Sequence, residues 1–245
     1  MTDLNTISII IEIIFLCISL FILALIFKKY RERRVYITKL LMYIFLYLIL
    51  ALFFILLSRM TYYRYNVEQM DQTSIEGWIM FRIGFYRPAF IFVVLAGYYS
   101  FLFKENVFSK EVNETQKKTL QVSGLLIIIY QIIFFDFNQP IYDVIAFLLI
   151  FLYFNAVYIP FMIASYKLYV KLSEVKYKKA ILSLTFMSIS FTLVFLFFLL
   201  DRVVIFLGGD NFSVFYFLGE FAVLSGLLFG YFGYIRPGEK KRGNK

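Results

Sequence analysis

Seven apolar stretches run along this chain, and its basic residues collect in every second gap between them. The gap after the first stretch carries Lys28, Lys29, Arg31, Arg33, Arg34 and Lys39, and the gap after the third carries Lys104, Lys110, Lys117 and Lys118. Lys167, Lys171, Lys176, Lys178 and Lys179 follow the fifth stretch, and Arg236, Lys240, Lys241, Arg242 and Lys245 follow the seventh. Twenty of the 25 basic residues thus share one side, the asymmetry that marks cytoplasmic loops. The pattern predicts an all-α membrane protein, a seven-transmembrane-helix bundle with its N-terminus outside and its C-terminus cytoplasmic.

The expected spans are 7–28, 36–58, 78–103, 119–136, 140–166, 180–207 and 212–235. All but the fourth clear the roughly 20 residues that a helix needs to cross hydrocarbon, and the fourth is short but sufficient. Together they form one transmembrane domain, 1–236, followed by a basic cytoplasmic tail, 237–245. At 62% hydrophobic residues the chain is too apolar for a soluble domain of its size. The net charge of +9 therefore points to anionic lipid head groups at the cytoplasmic loops, with no nucleic acid as partner, in a multi-pass protein of the cell membrane. The first stretch has no basic segment before it and a basic run after it, the pattern of an uncleaved signal anchor. Cys17 stands alone and reads as a small apolar packing residue.

What the chain lacks narrows its chemistry. It has no histidine, which argues against metal-dependent or serine-histidine hydrolysis within the membrane and against imidazole proton relays. The seventh stretch has no lysine for a retinal Schiff base, and the longest loops, about fifteen to twenty residues, are too short to fold a catalytic module. No enzyme activity, cofactor or metal is expected.

Ionisable residues within spans are costly and by default mark function. Counted from each helix's basic anchor at ~1.5 Å per residue, Glu12, Arg87 and Glu220 fall in one layer roughly 24 to 26 Å above the cytoplasmic rim. Arg82, Asp143 and Asp201, with Arg202 beside them, fall in a second layer at roughly 33 to 36 Å. The inner halves of the helices carry no charge on this count. The expectation is a polar pocket open to the outer face, lined by Glu12, Arg82, Tyr86, Arg87, Asp143, Asp201, Arg202 and Glu220, with Pro88 freeing a backbone carbonyl beside it. Within it Arg87 is expected to pair with Glu12, Glu220 or both. Salt bridges that merely pin helices, or outer charges that snorkel to water, would produce the same list. Ala222, Gly226 and Gly230 form a strip suited to close helix packing, and Gln131 is placed to hydrogen-bond between helices.

The stretch FRIGFYRPAFIFVVLAGYYSFLF from Phe81 to Phe103 and the exit YFGYIRPGEKK from Tyr231 to Lys241, with seven closely spaced helices, resemble the seven-helix sensor regions of prokaryotic histidine kinases and stand-alone archaeal-type relatives. The resemblance covers most of the chain at the level of topology, and no binding residue is carried over from it. No kinase or other output region follows Arg236, so the resemblance implies output through a separate cytoplasmic signalling partner. The favoured expectation is a receptor-like or sensor-like protein for an external small-molecule ligand. A transporter of a small polar or charged solute and an accessory or structural membrane subunit are the alternatives.

Overall fold

The computed structural model describes residues 2–65, 71, 73–109, 111–134, 140–209 and 213–234, and among them all regular structure is helical. The helices are α1 (Thr2–Arg33), α2 (Tyr36–Arg64), α3 (Ile75–Gly84), α4 (Arg87–Phe108), α5 (Glu114–Ile133), α6 (Pro140–Lys171), α7 (Val175–Phe206) and α8 (Val214–Tyr234). Lys110, the basic tail and the end of the sequence stretch at Tyr231–Lys241 lie outside the described residues. Six segments are long and apolar enough to cross a membrane: Thr6–Arg33, Tyr36–Tyr62, Arg87–Phe108, Ile141–Lys171, Val175–Phe206 and Val214–Tyr234. The chain is a multi-pass helical membrane protein. The expected fourth span corresponds to α5, whose first turns carry Lys117 and Lys118, and it is not among the six.

The expected third span, 78–103, is two helices rather than one. Pro88 has no N–H to donate to the carbonyl four residues back, so Gly84 O is left without its helical partner. Ser58 on α2 resolves this in both directions: its hydroxyl donates to Gly84 O at 2.7 Å and accepts from Tyr86 N at 3.0 Å. Tyr86 turns the chain with a left-handed φ of 48°, unusual for a residue with a Cβ. A break of this kind survives at membrane depth only where neighbouring side chains satisfy the freed backbone, as Ser58 does. Pro88 then stands at the start of α4, where its fixed φ suits the helix.

The segment before α3 is built from local hydrogen bonds. Asp71 accepts from Thr73 N at 2.9 Å and from the Thr73 hydroxyl at 2.6 Å, and these bonds hold its carboxyl below the usual aspartate range. Ser74 caps α3 by accepting from Gly77 N at 3.1 Å. A β-carbon at Gly77 would lie 2.1 Å from Asp71 O, so the cap requires glycine there.

The long helices close into a ring in which α1 packs on α2, α2 on α4, α4 on α5 and α6, α6 on α7, α7 on α8, and α8 returns to α1. The α7–α8 seam depends on missing side chains. A β-carbon at Gly219 would stand 2.7 Å from Phe198, one at Gly226 2.7 Å from Phe191, and one at Gly230 2.9 Å from Met187 Sδ. The expected strip of Ala222, Gly226 and Gly230 is therefore internal packing, extended by Gly219. Phe154, Tyr158, Phe161 and Phe191 fill the interior, while Phe21, Leu125, Leu126 and Val170 face outward, an arrangement that suits hydrocarbon as solvent. Cys17 is among the exposed residues, so it does not pack in the core as expected. It lies one residue along α1 from Leu16 and one before Ile18, which take the packed positions against the core.

Candidate functional site

Seven charged residues of the spans assemble into two groups at one end of the bundle. The first group joins four helices. Arg87, the first residue of α4, lies 2.5 Å from Asp143 Oδ1 on α6 and donates to Gln131 Oε1 on α5 at 2.9 Å. Arg202 on α7 approaches the other oxygen of the same aspartate at 3.4 Å and pairs with its neighbour Asp201 at 2.9 Å. Asp201 also accepts from Ser213 N at 3.0 Å and from the Ser213 hydroxyl at 2.7 Å, which ties the residue just before α8 to α7. Tyr86 lies under both guanidiniums, with its ring centre 5.4 Å from Arg87 Cζ and 5.7 Å from Arg202 Cζ. All four aspartate oxygens have partners, and two arginines face two aspartates. Arg87 is 1% exposed, whereas Asp143 and Arg202 keep 17% and 16% of their side chains accessible.

The second group joins α1, α2 and α8. Arg59 Nε lies 2.6 Å from Glu12 Oε1, and Arg59 Nη1 donates to the Ser8 hydroxyl at 2.7 Å. The Tyr216 hydroxyl makes a short hydrogen bond with Glu12 Oε1 and lies 3.1 Å from Glu220 Oε1, one helical turn along α8. Arg59 Cζ stands 4.8 Å from the centre of the Tyr216 ring. Glu12 and Glu220 are 3% and 1% exposed, and the second oxygen of each is buried without a hydrogen-bond partner.

These contacts correct the expected pairing. Arg87 does not join the glutamates' ion pair; it pairs with Asp143, and Glu12 pairs with Arg59. The depth count treated residues 78–103 as one straight helix and side chains as points at their Cα level. The break at Tyr86 and the reach of a guanidinium both carry Arg87 toward the Asp143 layer instead. Arg59 is absent from the expected site because it sits one residue past the expected end of the second span, at 36–58, where it reads as an outer-side residue. Its side chain turns back into the bundle. Glu12 and Glu220 do share a level, as counted, and the phenol that joins them was not foreseen.

Arg82 stands apart from both groups. It donates from Nε to Ile132 O at 2.8 Å and lies over Trp78, with its Nη1 buried and unpartnered. Lys104 and Glu105, 7% and 5% exposed, form a further pair at 2.5 Å on α4. A basic anchor counted as a rim residue is here enclosed by its acidic neighbour and by Phe101. Among the described residues no three His, Cys, Asp or Glu side chains group as metal ligands. Comparison with family models, with characterised proteins and with solved structures gives no match for the chain.

Proposed function

We infer that this is a seven-span, receptor-like protein of the cell membrane, with its N-terminus outside, an anion-responsive site at its outer end and output through a separate cytoplasmic partner. The observation that carries this is Asp143, whose two oxygens hold Arg87 and Arg202 from different helices while the group stays partly accessible. A small external anion has a ready competitor to displace there: it takes a guanidinium in the same geometry as Asp143 and so loosens the joint between α6 and its neighbours. A ligand acts only through different affinity for two arrangements, and exchange at a carboxylate that ties helices together supplies such a difference. The basic loops fit the orientation.

Two measurements on the purified protein in lipid test this. Acetate, succinate and phosphate are screened by thermal shift against the wild type and against Arg202→Gln, and a stabilisation present only in the wild type is expected. In a Cys17→Ala background, a cysteine at Ser213 should react with an impermeant thiol reagent from outside, and one at Ser109 only from the cytoplasm. The proposal fails if the wild type answers none of these anions and if the two cysteines label from the opposite sides.

A further inference from the structure

Among the described residues the glutamate group is one positive charge short, and its hydrogen bonds are one proton short. Glu12 and Glu220 bring two carboxyls, Arg59 brings one guanidinium, and each glutamate is almost wholly enclosed. The groups that face the pair are Ser8 on its own helix, Arg59 from α2, and Tyr216 from α8; α7 contributes the apolar Phe198, which packs on Tyr216, and Arg202, whose charge reaches Tyr216 but is already matched by Asp143 and Asp201. The Tyr216 hydroxyl has a single proton, yet it contacts an oxygen of both carboxyls. It donates to one. The contact with the other is a hydrogen bond only if that carboxyl itself carries a proton and donates it to the phenol oxygen. Glu12 Oε1 also receives Arg59 Nε, which marks Glu12 as the ionised partner and leaves the proton on Glu220. With that proton in place the group is neutral, as burial in a low-dielectric span requires.

We propose that Glu12, Tyr216 and Glu220 form a proton-binding site that holds one exchangeable proton on Glu220. Its ligand is the proton itself. On release, the O–H bond of the Glu220 carboxyl breaks and the proton passes to water, leaving two carboxylates on one hydroxyl with one guanidinium between them. The repulsion falls on the seam between α1 and α8, which this group and the Phe15–Phe221 ring contact hold together. The inference does not rest on the anion-responsive group, since none of its three residues makes an ion pair in the Arg87–Asp143–Arg202 joint.

The test is infrared spectroscopy of the full-length protein in lipid with and without 13C-carboxyl glutamate. At neutral pH a protonated-carboxyl band that moves with the glutamate label is expected in the wild type, and it should vanish reversibly as the pH is raised. Glu220→Gln and Glu12→Gln should each abolish it, because one remaining carboxyl then faces one guanidinium, whereas Glu105→Gln should leave it unchanged. If neither glutamine variant folds, Tyr216→Phe must shift the band by removing its hydrogen-bond partner. A wild type without a glutamate-labelled acid band overturns the proposal, as does a band that survives both glutamine substitutions or ignores Tyr216→Phe.

Discussion

The two charged groups use the same residue types to opposite effect. At the joint of α4, α5, α6 and α7, two arginines meet two aspartates and every aspartate oxygen is bonded. Where α1, α2 and α8 meet, one arginine serves two glutamates and an oxygen of each is left over. The first group balances its charges without any addition, so its chemistry lies in being displaced. The second is complete only with a proton, so its chemistry lies in gaining and losing one. Counting charges separates the two roles before any ligand is considered, because a buried cluster that balances itself has no need of an ion from outside.

Asp143→Ala gives the largest test of that contrast. It strands two guanidiniums and should cost about 3 kcal/mol or more, read by thermal or denaturant unfolding in mild detergent. A loss no greater than that of the exposed change Asp71→Ala would show that the balanced group carries little stability. Arg59→Gln comes next, at about 2 to 3 kcal/mol at neutral pH. Here the dependence on pH is the informative part. Without Arg59 both glutamates need protons in the folded state that the unfolded chain does not hold, so the loss should shrink as pH falls and grow as it rises. The Asp143→Ala loss should stay nearly flat from neutral to mildly acid pH, and matching profiles for the two variants would erase the distinction.

Ser58→Ala should cost about 1 to 2 kcal/mol, because it leaves Gly84 O and Tyr86 N without partners at the break between α3 and α4. It should also increase amide exchange at Tyr86 and loosen Arg87, which follows directly in the chain. Tyr216→Phe is the mildest, at about 1 kcal/mol, with the loss confined to the glutamate group. Thermal melts that show Tyr216→Phe exceeding Asp143→Ala would reverse the proposed ranking of the two sites.

The long apolar runs announced their helices because no other backbone arrangement satisfies itself in lipid, and the presence of α1, α2, α6, α7 and α8 follows from that, although α1, α2, α6 and α7 run five or six residues past the expected bounds. Pro88 signalled a freed carbonyl but not the break in the third span, and it takes the position of Ser58 on a different helix to show that this carbonyl is answered inside the protein. Residue counting gave the common level of Glu12 and Glu220, because both side chains are short enough to stay near their Cα height. It failed for Arg87 and Arg59, whose long side chains reach to partners outside their own level. Gln131 was legible as a polar group needing a partner, but that the partner is Arg87 depends on α5 packing against α4, which no pattern within either helix specifies.

Ser58 and Arg59 are neighbours on α2, as Tyr86 and Arg87 are neighbours at the break, and the Ser58 hydroxyl is bonded to Tyr86 N. Successive residues of a helix point about 100° apart, so α2 presents Ser58 to one charged group and Arg59 to the other on a single rigid axle. Any turn of α2 that follows Arg59 when the glutamates gain or lose a proton must also drag on the hinge that seats Arg87. Arg59 at the glutamate pair and Ser58 at the seat of Arg87 are thereby fixed to one helix at adjacent positions, so neither contact is set without the other.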